Sequence, residues 1–115
     1  MLVKQFMAIF DGLQEAYGTF RIEKQGANGK AQGKAGVVRE PRTTLLWENH
    51  LVGRHGIGII PINEDNNCKW GCIDIDQYPL DHKLLVEKIR KLKLPLVICR
   101  SKSGGAHCFL FSTEW

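Results

Sequence analysis

No apolar run among the 115 residues approaches the roughly 20 needed to cross a bilayer. The stretch before Asp11 is apolar, but it has one basic residue and lacks a small-residue cleavage site. It does not read as a signal peptide. No segment repeats and no linker interrupts the chain, which excludes a solenoid and argues against two domains. Charge of one sign is not strongly in excess: 16 Lys and Arg against 12 Asp and Glu give +4. That mild basic bias suits a polyanionic partner without requiring one. Cysteine is sparse, at Cys68, Cys72, Cys99 and Cys108. Cys68 and Cys72 lie close together, but no second close Cys/His pair follows, which counts against a zinc site. Three of the four fall in apolar, strand-like runs. They read as small buried hydrophobes and reduced thiols of a cytosolic protein.

What is present is an ordinary globular composition, 43% hydrophobic and 24% charged. Disorder and fibrous repeats are thereby disfavoured. Residues 1–115 make one domain, long enough to bury about 65% of its unfolded surface. Leu2, Val3, Phe6, Phe10, Leu13 and Tyr17 recur at helical spacing, which predicts a helix over 3–16. Alternation predicts a strand over 19–24. Residues 25–36 hold four glycines with Lys30 and Lys34 and almost no apolar bulk, the composition of a flexible basic loop. A short strand over 37–39 and a helix over 43–51 follow. Residues 56–62 read as a buried strand, 63–67 as a polar turn and 69–76 as a second strand. Leu80, Leu84, Leu85, Ile89 and Leu92 mark an amphipathic helix. Pro79 suits its first turn, Lys91 and Lys93 suit its C-terminal end, and Pro95 stops it. A strand over 96–100, a Gly-rich turn over 101–106 and a returning strand over 107–112 complete the chain. The class expected is α/β (α+β): a small mixed sheet with a βαβ unit and a returning hairpin strand, flanked by helices.

Chemistry concentrates between Trp70 and Phe111. A strand–helix–strand unit of this size normally makes a right-handed parallel crossover, so both strands finish at one sheet edge. Asp76, the run Arg100, Ser101, Lys102, Ser103, and the opening His107 of the returning strand all converge there. Such edges are where ligands usually bind. Asp74 and Asp76 lie two apart, on one face of a strand and roughly 6.6 Å apart along it, with Ile73 and Ile75 facing the core. Two carboxylates on one face suit a hard divalent cation that also takes substrate phosphates. Alone, Asp-x-Asp also fits two solvated acids on an edge strand. Ser103, Gly104, Gly105 and His107 offer a hydroxyl, backbone amides and an imidazole to an anion, with Lys102 and Arg100 adding charge. Alone, this is also a tight hairpin turn. Together, the carboxylates and the turn suggest a nucleoside triphosphate with Mg²⁺ or Mn²⁺.

The string Cys72-Ile73-Asp74-Ile75-Asp76, followed by the run from Cys99 through Gly104-Gly105-Ala106-His107, resembles the archaeo-eukaryotic primase superfamily. The nearest resemblance is to the primase-polymerases of phages, plasmids and TOTE conflict systems. His50-Leu51-Val52-Gly53 and Gly58-Ile59-Ile60-Pro61 are similar to that subgroup as well. The resemblance implies template-directed nucleotidyl transfer by two metal ions, Mg²⁺ or Mn²⁺. It implies Asp74 and Asp76 as metal ligands and His107 with Ser103 on the phosphates, with Arg100, Ser101, Lys102, Gly104 and Gly105 around them. It implies nucleoside triphosphates and a DNA template as partners, with a helicase or C-terminal module, no membrane, and a cytoplasmic setting in a bacterial host, phage- or plasmid-encoded. The family completes its metal site with a third acid on a later strand and continues into an RRM-like module. Neither matches residues here, so the expectation is an N-terminal fragment of the catalytic domain.

Other readings stay open at this point. One is a nucleotide or nucleic-acid binding module without catalysis. Another is a metal-dependent phosphoesterase or nuclease using the same acids. Lys30, Lys34, Arg39 and Arg54 are the candidate nucleic-acid contacts, the first three within a basic strip that also holds Arg21, Lys24 and Arg42. A solvated, mobile face fits that strip too. His50 reads as a packed or capping residue, His82 as an exposed helix residue, and Trp47 and Trp70 as core or rim. His55 lies in a loop with Arg54.

Overall fold

The structure, a computed structural model, describes residues 2–25 and 31–115. Its first helix, α1 (Leu2–Ile9), leads into a sheet built from β1 (Tyr17–Gln25), β2 (Ala31–Val38) and β3 (Gly56–Gly58), with α2 (Thr44–Leu51) between the last two strands. The order is β2-β1-β3 and every pairing is antiparallel. The second sheet is built from β4 (Trp70–Ile75), β5 (Val97–Arg100) and β6 (Ala106–Phe111), with α3 (His82–Lys91) crossing from β4 to β5. Its order is β4-β6-β5. β4 and β5 both run antiparallel to β6, so they are parallel to each other as the crossover requires. The returning strand inserts between them. The class is α+β, with three-stranded antiparallel sheets where one mixed sheet was expected.

Local chemistry explains where the elements stop. Helical spacing continues to Tyr17, but α1 ends at Ile9. Asp11 takes the chain elsewhere: its carboxylate accepts from Gly12 N–H at 2.8 Å and from Arg42 at 2.9 Å, and its carbonyl accepts from Trp70 Nε1–H at 2.8 Å. These long-range bonds outweigh helical propensity. The expected loop over 25–36 is largely strand. Residues 31–36 pair with β1, and their lack of apolar bulk is a packing feature. A Cβ on Gly33 would strike the Phe20 ring and the Arg21 carbonyl. Residues 26–30 of that segment, Lys30 among them, lie outside the described residues. The strand expected over 56–62 shrinks to three residues, because the Ile60 carbonyl leaves the sheet to accept from Leu13 N–H at 2.9 Å. The turn over 63–67 is present, folded around Asn63 Oδ1, which accepts from the amides of Asp65 and Asn67.

Helix α3 begins later than expected. Asp81 caps it by accepting from Leu84 N–H at 3.0 Å, so Pro79 precedes the cap and is not in the first turn. At its other end, Lys93 N–H bonds the Arg90 carbonyl and Leu94 N–H bonds the Ile89 carbonyl, a Schellman stop.

The pleat sorts the second sheet into two faces. Trp70, Phe109 and Phe111 share one face and meet Phe10 edge-on at 5.3 Å each. Phe10 in turn touches Phe6, and Phe6 reaches Trp47, which is 1% exposed. The tryptophans are thus core and rim. Ala106 and Cys108 lie on the opposite face and are buried, as is Ile89 of the crossover helix. Ile73, expected in the core on that face, is 58% exposed because β4 is an edge strand. Of the cysteines, only Cys108 behaves as a buried hydrophobe. Cys68, Cys72 and Cys99 are exposed free thiols. Burial, together with nearby Cys99, pushes the Cys108 thiol above its ordinary range.

Accessible surface totals 8758 Å² for 13.0 kDa. A compact monomer of this mass exposes about 6,300 Å². The excess is apolar as well as polar, with Val97, Leu110, Leu92 and Leu94 among the exposed residues. No helix is long and apolar enough to cross a membrane, among the described residues.

Candidate functional site

The ladder of the second sheet sets Asp74 directly opposite His107, and His107 directly opposite Cys99. Three strands thereby contribute a carboxylate, an imidazole and a thiol to one row on one face. Asp74 Oδ1 lies 3.5 Å from His107 Nε2, with the two side chains 58% and 42% exposed. The expected convergence of the acidic strand and the returning strand is therefore present, and its contact is open to solvent. Arg100 pairs with Ala106, so the pleat puts it on the other face from Asp74. Cys99, not Arg100, is the neighbour of His107.

Asp76 lies just past the end of β4. Its Oδ1 accepts a 3.0 Å hydrogen bond from the Tyr78 hydroxyl. That bond, with desolvation and the charge of Asp76, raises the Tyr78 phenol above its ordinary range. Tyr78 carries no motif signal, because a lone tyrosine before a proline is common loop chemistry. Only the fold shows it bonded to Asp76.

The turn itself is tightly tied. Ser101 N–H bonds the Gly105 carbonyl at 3.1 Å, and Gly104 N–H bonds the Ser101 carbonyl at 3.1 Å. The Gly104 amide is thus spent within the turn and is not free for an anion. Positive φ falls at Gly104, +89°, and not at Gly105. Gly105 is required for another reason: a Cβ there would collide with the Ile75 carbonyl oxygen. The Ser101 hydroxyl is buried and has no partner among the described residues. Ser103 and His107 remain half-exposed. His82, expected to be an exposed helix residue, instead bonds the Gly105 carbonyl through Nε2 at 2.8 Å and anchors the turn to the start of α3.

Lys102 leaves the turn in the other direction. Its ammonium sits 3.9 Å above the Phe20 ring of β1, a close cation–π contact. Phe20 lines a groove of about 920 Å³ on the first sheet, which also takes in Lys34, Arg54 and Arg21. Two of the candidate nucleic-acid contacts, Lys34 and Arg54, thus meet in one concavity. Arg39 does not line it. Arg42 is withdrawn from the basic strip: it is 8% exposed and paired with Asp11. His50 stacks on Phe6 at 6.0 Å, which makes it a packing residue.

Among the described residues, no three His, Cys, Asp or Glu side chains gather into a ready-made metal cage. The donors at the edge are nonetheless of the right kind. Asp74 and Asp76 are exposed carboxylates with hard oxygens. A cation such as Mg²⁺ commonly takes one or two protein carboxylates and completes its shell with water and substrate phosphates. The pair fits that mode.

Comparison with known proteins adds one match. The family model for the TOTE conflict system, archaeo-eukaryotic primase domain, covers residues 17–115. No curated protein matches the chain.

Proposed function

The chain belongs to the TOTE conflict system archaeo-eukaryotic primase domain family, and from that premise we propose that it is the N-terminal module of a template-dependent nucleotidyltransferase, joining nucleoside triphosphates on a DNA template. The observation that carries this reading is the 3.5 Å approach of Asp74 to His107, on an open sheet edge beside the 101–105 turn. A carboxylate for a cation and an imidazole for a phosphate are useful together only if both face the same ligand.

In this reading the triphosphate lies along the turn. His107 donates to a phosphate oxygen and gains strength as a donor when protonated. Ser103 supplies a neutral hydroxyl donor. Tyr78 holds the Asp76 carboxylate in place, and His82 holds the turn by its Gly105 carbonyl. Asp74 and Asp76 would hold Mg²⁺ or Mn²⁺. When bound, the cation supplies charge stabilisation to the attacking and leaving oxygens of an in-line displacement. The chain's own part is positioning and charge neutralisation, which dominate phosphoryl-type transfer. The exposed apolar surface supports reading it as one module of a larger catalytic domain, whose remaining segment would bring a further acid.

The test is Mn²⁺ titration followed by NMR line broadening. Broadening is expected to concentrate at residues 72–78 and to vanish in Asp74→Asn. Broadening no greater there than around the exposed Glu23 would overturn the metal assignment.

A further inference from the structure

We propose that the outer face of α3 is a docking surface for an acidic, leucine-bearing segment of another polypeptide. Residues 83–93 hold five cations, Lys83, Lys88, Arg90, Lys91 and Lys93, against one acid, Glu87. That excess equals the +4 of the whole chain, so the other 11 cations and 11 acids cancel. All five cations are exposed. None is in a salt bridge with a described residue, although Glu87 lies one helical turn from Lys83, Arg90 and Lys91. The helix dipole accounts for part of this charge and not for the rest. Lys88, Arg90 and Lys91 lie in the last turn, where cations are favoured. Lys83 lies in the first turn, where a cation is unfavourable and no acid offsets it. Lys93 lies past the helix end at φ of 54°, where glycine is free of strain and lysine is not. A strained position of this kind points to a use for the side chain that holds it.

The apolar side chains of the same face select the partner. Helical spacing sets Leu84, Lys88 and Lys91 in one outward stripe, and Leu84 is 48% exposed. Leu92 and Leu94, at the far end of the helix, are 69% and 46% exposed. A phosphate backbone leaves such aliphatic side chains in water, and residues 83–94 carry no ring to stack on a base. A membrane surface takes an amphipathic helix by its apolar stripe. In α3 that stripe is turned inward, with Ile89 only 8% exposed. A polypeptide segment that carries both carboxylates and aliphatic side chains matches the whole face, charge to charge and leucine to leucine. The face shares no residue with the Asp74–His107 row, so docking there is independent of nucleotidyl transfer.

The experiment is fluorescence anisotropy with two labelled synthetic peptides. One carries Glu and Leu on one helical face, and the other has Ser in place of each Leu. Unlabelled Glu-Leu peptide, an oligothymidylate, and vesicles of phosphatidylserine with phosphatidylcholine serve as competitors. Wild type binds the Glu-Leu peptide more tightly than the Glu-Ser peptide, and binding weakens as salt rises. Lys88→Gln combined with Lys91→Gln lowers the affinity about three- to tenfold, the range for two exposed ion pairs. Lys4→Gln combined with Lys24→Gln removes the same charge elsewhere and leaves the affinity unchanged. Leu84→Ser lowers affinity for the Glu-Leu peptide and not for the Glu-Ser peptide. Lys93→Gly lowers the affinity without lowering Tm, which separates the charge from the fold. Circular dichroism checks the fold of each variant. No binding of either peptide, or equal losses in the two double variants, overturns the proposal and leaves α3 a solvated face. Equal affinity for the two peptides, or displacement by the oligothymidylate or the vesicles at lower concentration than by the unlabelled Glu-Leu peptide, overturns the choice of partner.

Discussion

Gly105 is fixed in place from two sides. The Ile75 carbonyl lies where its Cβ would be, and His82 bonds its own carbonyl at 2.8 Å. Gly105→Ala therefore forces β4 and the turn apart. The expected cost is about 1–3 kcal/mol, the range for overpacking a tight site, read as a lowered urea midpoint at unchanged m-value. The adjacent Gly104 differs, since its positive φ is the constraint and a Cβ there meets nothing within 4 Å. At this scale the sequence was a partial guide. Asp74, Ser103 and His107 were legible because motif spacing and strand order converge on one edge. Arg100 was misplaced because the pleat alternates, and a one-residue difference in register decides which face a side chain occupies. Tyr78 and His82 were missed because their roles rest on contacts made only after folding, to the Asp76 carboxylate and to the Gly105 carbonyl.

Elements were legible where their own chemistry dominates and illegible where a partner does. Helix α3 follows its apolar stripe and its basic last turn, while its Asp81 cap, two residues past Pro79, shows only in the fold. Strand β2 does not announce itself, since a run of Gly, Ala, Gln and Lys is strand only because β1 pairs with it. Helix α1 stops at Ile9 because Asp11 is claimed by Arg42 and Trp70. The end of α3 carries one local conflict: Lys93 holds φ of 54° where glycine is usual. A left-handed conformation costs a non-glycine residue roughly 1–2 kcal/mol, partly offset by the larger unfolded-state entropy of glycine. Lys93→Gly is expected to stabilise the protein by about 0.5–1 kcal/mol, seen as a higher Tm. No change or a loss would mean that the lysine side chain repays its strain with a contact.

Across the whole molecule, two small sheets meet where Lys102 lies over Phe20, and the charges sort between them. Carboxylates stand at the edge of the second sheet, and exposed cations line the groove of the first. Class, strand order within the crossover and family were legible in the sequence. The division into two sheets was not, nor was the place of β6, which keeps its hairpin with β5 but inserts between β4 and β5. The account's central claim is that the 101–105 turn and His107 hold a triphosphate beside Asp74. It is tested most directly by calorimetric affinity for a nucleoside triphosphate with Mn²⁺, in wild type and His107→Ala, with circular dichroism as the control for folding. His107 sits half-exposed on the open face of the second sheet, so the fold is expected to survive the substitution. The predicted loss is about 1.5–3 kcal/mol, the range for a hydrogen bond to a charged group. Equal affinities in two equally folded proteins would contradict the account and leave the turn a hairpin.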